Sequence, residues 1–227
     1  MTFPFPIFVP RKGALTIAPT AISQNSPGAS NFTYTAQAIG SASSDRIVIV
    51  AIYSVSVGTS TTLSSATIGG VSATILKQKT NNAVSVDNVC AVIAAAVPSG
   101  TTGDVVLTFS NSQLRCNIAV FSMTGGLITP YATYADTLAT DTVPDITIDV
   151  PSGGGHVAVA GLYQGDTTSF TWAGSGITEA YDNPNTESFT AAYGNYANSI
   201  SSVNITATPA AGSVTRSCMV GVSFQAA

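Results

Sequence analysis

Residues 46–55 read RIVIVAIYSV, a β-branched run whose odd and even positions are both apolar. Side chains alternate between the two faces of a strand, so this run predicts a central strand covered on both sides. The surrounding runs are also strand-like, and Gly, Ser, Asn and Pro separate them at sandwich or barrel spacing. FTYTAQAI (residues 32–39) alternates, and DVVLTFS and CNIAVFSM follow further on. SSATIGGVSATIL (64–76) reads as two short strands around Gly69-Gly70, a dipeptide suited to the positive φ of a tight hairpin turn. VCAVIAAAVPSG (89–100) is alanine-rich enough to suggest a helix, but Pro98 and Gly100 stop it at strand length.

The order then recurs. HVAVAGLYQ answers RIVIVAIYS, with Tyr163 in the place of Tyr53. FTWAGSGITEA answers SATIGGVSATI, SFTAAYGNYA answers VCAVIAAAV, SVNITATP answers DVVLTFSN, and CMVGVSF answers CNIAVFS. The register stays open by one residue, since one spacing aligns Cys116 with Cys218 and the other Arg115 with Arg216. The chain thus divides into residues 1–30, an extended arm and lead-in, and residues 31–227, a sandwich of two similar halves at about 31–126 and 140–227. The expected fold is all-β, an antiparallel β-sandwich of jelly-roll type whose halves each supply strands to both sheets. Two tandem immunoglobulin-like sandwiches are the alternative. The apolar connection GGLITPYATYADTLATD favours one continuous core.

Charged residues make up 8% of the 227 positions and the net charge is −4. The seven Lys and Arg are scattered, which argues against phosphate-backbone binding and so against a nucleic-acid partner. So few lysines leave sheet edges poorly guarded against pairing, which points to a homo-oligomer or to cover by other subunits. Three cysteines, Cys90, Cys116 and Cys218, sit inside apolar runs and read as small buried hydrophobes rather than a disulfide or zinc framework. No run reaches transmembrane length, so no membrane partner is expected.

The chain opens MTFPFPIFVPRK. Proline fixes φ, holds the preceding residue extended and donates no backbone hydrogen bond, so this segment predicts an extended strap. Phe3, Phe5 and Phe8 are its anchors, with Arg11 and Lys12 at the rim of a partner's groove. Its prolines and the late position of its basic pair are unlike a secretion signal. The expectation is a protein made in the cytoplasm of the cell that encodes it, and used there or released by lysis.

The sequence offers little chemistry. His156, the only histidine, follows Gly-Gly-Gly; Asp149, Asp166 and many serines lie nearby in sequence, but no nucleophile motif does. It reads as an exposed turn residue, and the chain as a non-enzyme without catalytic, cofactor or metal residues. Asp145 and Asp149 share one face of a strand and read as a solvated sheet face. YDNPNTES is a candidate sugar-binding loop, with Tyr181, Asp182, Asn183, Asn185 and Glu187 beside Trp172, the one tryptophan. An aromatic ring can stack on a sugar while acids and amides bond its hydroxyls. The plainer reading is an Asx-rich turn next to a core tryptophan.

TLSSATIGGVSATIL, VPSGTTGDVVLTFS, CNIAVFSMTG and FTWAGSGITEAYDN together resemble a pattern of tailed-bacteriophage and prophage structural proteins. The resemblance covers roughly residues 30 to 227, without the arm. It implies a β-sandwich component of the virion, either a capsid decoration or minor capsid protein or a tail or fibre part. Its expected partners are other capsid or tail subunits and further copies of itself. A tail fibre or receptor-binding carbohydrate module is the alternative, with a glycan as partner.

Overall fold

The computed structural model describes residues 14–57, 60–83, 86–138, 144–163, 168–184, 187–210 and 216–227. The arm residues Phe3, Phe5, Phe8, Arg11 and Lys12, together with Asn185 and Asp166, lie outside them. The regular elements described are all strands. The first half contains β1 (Thr16–Asn25), β2 (Ala29–Ala38), β3 (Ile47–Val57), β4 (Leu63–Ile68), β5 (Val71–Ser72), β6 (Thr74–Ala83), β7 (Val86–Ala96), β8 (Thr102–Gln113) and β9 (Arg115–Thr124). The second contains β10 (Ala132–Leu138), β11 (Asp145–Val150), β12 (Gly155–Tyr163), β13 (Phe170–Ala173), β14 (Thr178–Asn183), β15 (Glu187–Asn195), β16 (Ile200–Pro209) and β17 (Ser217–Phe224).

All pairings are antiparallel, and the described strands form four sheets. The first half builds a five-stranded sheet, β1-β9-β3-β7-β6, and an outer one, β2-β8-β4-β5. The second builds β10-β17-β12-β15-β14 and an outer sheet, β11-β16-β13. Read in order, the two five-stranded sheets place β3 and β12, β7 and β15, and β9 and β17 at corresponding positions, as β8 and β16 are in the outer pair. Among the described residues no sheet mixes strands from the two halves. A jelly roll with shared sheets is therefore not what forms, although the antiparallel β-sandwich is. The stretch grouped with the arm as a lead-in carries β1, the edge strand of the first central sheet, paired with β9 from Thr16↔Thr124 to Asn25↔Cys116.

Two-faced strands explain the difference. A two-layer sandwich covers one face of each sheet. In β3, Val48, Val50 and Ile52 face the outer sheet, while Ile49, Ala51, Tyr53 and Val55 face the other half, and all are buried. β12 does the same, with Ala158, Ala160 and Leu162 on the outer side and Val157 and Val159 on the inner. The two central sheets therefore pack on each other, giving four layers. The central core also takes in Phe121, Phe189, Val220, Val222 and Phe224.

Close packing in this joint is specific. The Tyr53 ring of the first half lies on Gly161 of the second; a Cβ at Gly161 would stand 2.1 Å from Tyr53 Cδ2. Polar contacts register the layers. Asn81 Nδ2 donates to the Ser217 carbonyl at 2.8 Å, and Cys90 Sγ to the Cys218 carbonyl at 3.0 Å. Ile17 N donates to Asn195 Oδ1 at 2.7 Å, and Asn195 Nδ2 returns a bond to the Ile17 carbonyl at 2.9 Å. All three cysteines are free and buried. Cys116 faces the outer core and Cys218 the central one, so strand equivalence falls on the spacing that aligns Arg115 with Arg216.

Elsewhere the turn chemistry follows the residues. Gly69 (φ +57°) and Gly70 (φ +79°) join β4 to β5 across the Ile68↔Val71 pair, as a hairpin turn with two positive φ requires. Because the halves share the central core, the chain is expected to unfold in a single thermal transition. Gly161→Ala should lower its midpoint by the equivalent of about 1–3 kcal/mol, the usual cost of overpacking. In a Tyr53→Ala background the same change should cost far less. A double-mutant cycle with no coupling between positions 53 and 161 would contradict this packing.

Candidate functional site

The residues proposed for sugar binding do not form one platform. Trp172, on β13, is half-buried against the second outer core, and its Nε1 donates to Thr190 Oγ1 at 2.7 Å. Thr190 Oγ1 in turn donates to the Tyr181 carbonyl at 2.9 Å. The Tyr181 ring points the other way, into the central core, 6.2 Å from Phe121 in an edge arrangement. Asp182 Oδ2 accepts from the Phe170 amide at 3.1 Å, tying β14 to β13, and desolvation raises its carboxyl pKa. Asn183 Nδ2 reaches Gln24 Oε1 of β1 at 3.2 Å. Glu187 opens β15. Alternation along β14 thus sends neighbouring candidates to opposite faces.

The acidic strand behaves as a sheet face. Asp145 Oδ2 accepts from Asn204 Nδ2 at 3.2 Å, and Asp149 Oδ1 accepts from the Ser202 amide at 2.6 Å. A shallow cleft of about 270 Å³ runs between β10 and β11, lined by Tyr134, Ala135, Asp136, Asp145, Ile146 and Thr147. Among the described residues no three His, Cys, Asp or Glu side chains converge as a metal site would require.

His156 is not an exposed turn residue. It is the second residue of β12 and fully buried, with Gly194 of β15 on one side and Ser223 of β17 on the other. Its ring stacks on Tyr196, with centroids 5.5 Å apart and planes 29° from parallel. Neither ring nitrogen has a hydrogen-bond partner among the described residues, nor does Ser223 Oγ. Burial alone drives its pKa down to about 3. A neutral imidazole packed as an aromatic fits this position. The hydroxyl of Tyr196 donates to the Ser175 carbonyl at 3.2 Å, which pins the stack.

Tyr196 also lines a mostly apolar groove of about 360 Å³, together with Ala14, Leu15, Gly153, Asn195 and Ala197. Ala14, which lines this groove, is the first described residue. Leu15 is wedged between Gly126 and Gly155, and the next connector residue, Leu127, is exposed, as is Tyr131. Arg46 caps the neighbouring end of β3. It is buried, and it donates to the carbonyls of Val97, Gly40 and Ser99, each at 2.7 Å. The candidate site is therefore this end of the block, with the arm's root, the groove and exposed apolar connector residues together. The chain matches no protein-family model, no curated protein and no solved structure.

The buried imidazole has a pH consequence. The unfolded chain protonates His156 below about 6.5, while the folded chain keeps it neutral down to about 3. The unfolded state therefore binds more protons in that window, and stability falls as pH drops through it. The loss from this residue should exceed about 1 kcal/mol per pH unit, partly offset by Asp87 and Asp182, whose carboxyl pKa values burial raises. His156→Phe keeps an aromatic on Tyr196 and removes the titration. Its urea midpoint should fall less between pH 6.5 and 4 than that of the parent. Equal slopes would remove His156 as the cause.

Proposed function

We propose that this chain is a structural protein of a bacteriophage virion, a capsid decoration or minor capsid subunit. It attaches through its N-terminal arm and packs through its sandwiches. The observation that carries this reading is the concentration of the arm's root, an apolar groove and exposed Leu127 and Tyr131 at one end of a rigid four-layer block. Such a block presents a fixed shape, and its sticky end suits docking better than turnover of a small molecule. Scarce surface charge and the sandwich motifs similar to those of phage structural proteins point the same way.

Particle composition tests it. Phage particles purified from the host that encodes this chain should contain it in stoichiometric amounts, and immunogold labelling should place it on the capsid. Deleting residues 2–10 should leave melting unchanged but strip the protein from particles. A protein absent from particles, or a truncated form incorporated as well as the parent, would overturn the reading. Label on the tail alone would replace decoration with a tail component.

A further inference from the structure

We infer that the groove beside Ala14 is the seat for residues 3–10 of a second copy of this chain, so that two copies exchange arms across a two-fold axis. This deepens the virion reading by naming the arm's first partner. The groove's mostly apolar lining, Leu15, Tyr196, Ala197 and Gly153, matches an arm of alternating Phe and Pro. Its one amide, Asn195, is already engaged by the backbone of Ile17, so the lining makes little demand for polar partners. Proline-rich segments suit such grooves because they arrive already stiff, losing little entropy on docking.

Geometry favours the second copy over the arm's own groove. Ala14 and Leu15 form one wall, so each arm starts at the site it would have to fill. Pro10, Pro6 and Pro4 favour extended chain on their N-terminal side. At roughly 3.3 Å per residue, Phe8 can stand about 20 Å from Ala14, several times the width of the cavity. A two-fold contact resolves this, because the same end of both molecules offers one arm and one groove, and both grooves are filled. Six phenylalanines at ~150–250 Å² each would bury on the order of 900–1,500 Å², which reaches the range of stable specific interfaces, ~1,200–2,000 Å². Leu127 and Tyr131, exposed at that end, extend the apolar contact.

Sedimentation of the full chain at tens of micromolar should show a dimer. Ala197→Arg puts a charge into the groove from an exposed position, and Phe3→Ser/Phe5→Ser/Phe8→Ser removes the anchors. Each should yield a monomer, weakening dimerisation by about 100-fold or more, with the far-UV circular dichroism spectrum of the parent. A Phe5→Cys/Ala197→Cys protein, oxidised with copper phenanthroline, should run as a covalent dimer on a non-reducing gel. A monomeric parent, a dimer indifferent to either surface variant, or a crosslink formed within one chain would each overturn the exchange. Such a failure leaves the particle test intact, and a protein absent from particles would leave the dimer standing.

Discussion

Everything else in this fold depends on one contact, the apolar face-to-face packing of two five-stranded sheets from different halves. Each sheet already carries an outer sheet on its far side, so its strands are dry on both faces. Burial of Val, Ile and Phe side chains in this joint, at about 1.5–3 kcal/mol each, outweighs any single polar contact in the molecule. It also removes the usual freedom between tandem domains. Interfaces between domains within a chain are ordinarily modest and rather polar, and they permit hinge motion. Here the joint is the largest of the cores among the described residues, and a hinge would have to expose Tyr53, Phe121, Phe189 and Phe224.

Apolar packing alone would not choose a register, since a flat greasy sheet can slide on another. The choice is made by shape and by a polar margin. Tyr53 fits only over a residue without a side chain, which Gly161 supplies. Asn81 and Asn195 at the margin, and Cys90 inside the core, spend side-chain donors on backbone carbonyls of the other half. Each such bond adds about 1 kcal/mol of net stability, but a slipped register would leave its buried partners unpaired and cost more. Arg46 uses the same device within the first half, a buried cation held by three carbonyls at the end of β3.

Strands and turns were legible from residue type because their causes are local. Gly69-Gly70 needs only its own φ angles, and Pro98 with Gly100 ends β7 whatever lies around it. The number of layers was not legible in the same way. RIVIVAIYSV states that both faces are covered, yet it does not say by what, and the covering sheet comes from residues more than a hundred positions away. His156 illustrates the same limit. Three preceding glycines suggest a turn, but its position opposite Gly194 and Ser223 is fixed by pairings of β12 with β15 and β17. Nearness in sequence groups the sugar-site candidates, whereas a strand separates neighbours onto opposite faces. That sends Tyr181 to the central core and leaves Trp172, on another strand, in the outer one. The groove was hidden for a further reason: its walls come from residues 14–15, 153 and 195–197, which no local pattern connects.

The packing also bears on where function can reside. A chain whose central strands are sealed on both faces has only its outer sheets, its edges and its two strand ends to offer a partner. Lys77 and Lys79 on β6 put charge on one edge of the first central sheet, and a bulge at Pro19–Ala21 interrupts the other along β1. The outer sheets present largely Thr, Ser and Asn, side chains that bind water well and give a partner little apolar area. The strand end that carries Ala14 differs from all of these. There the described chain begins beside a mostly apolar groove, next to the exposed connector residues Leu127 and Tyr131. Specific association needs a desolvated apolar centre more than a polar periphery, and on the described surface that end supplies one.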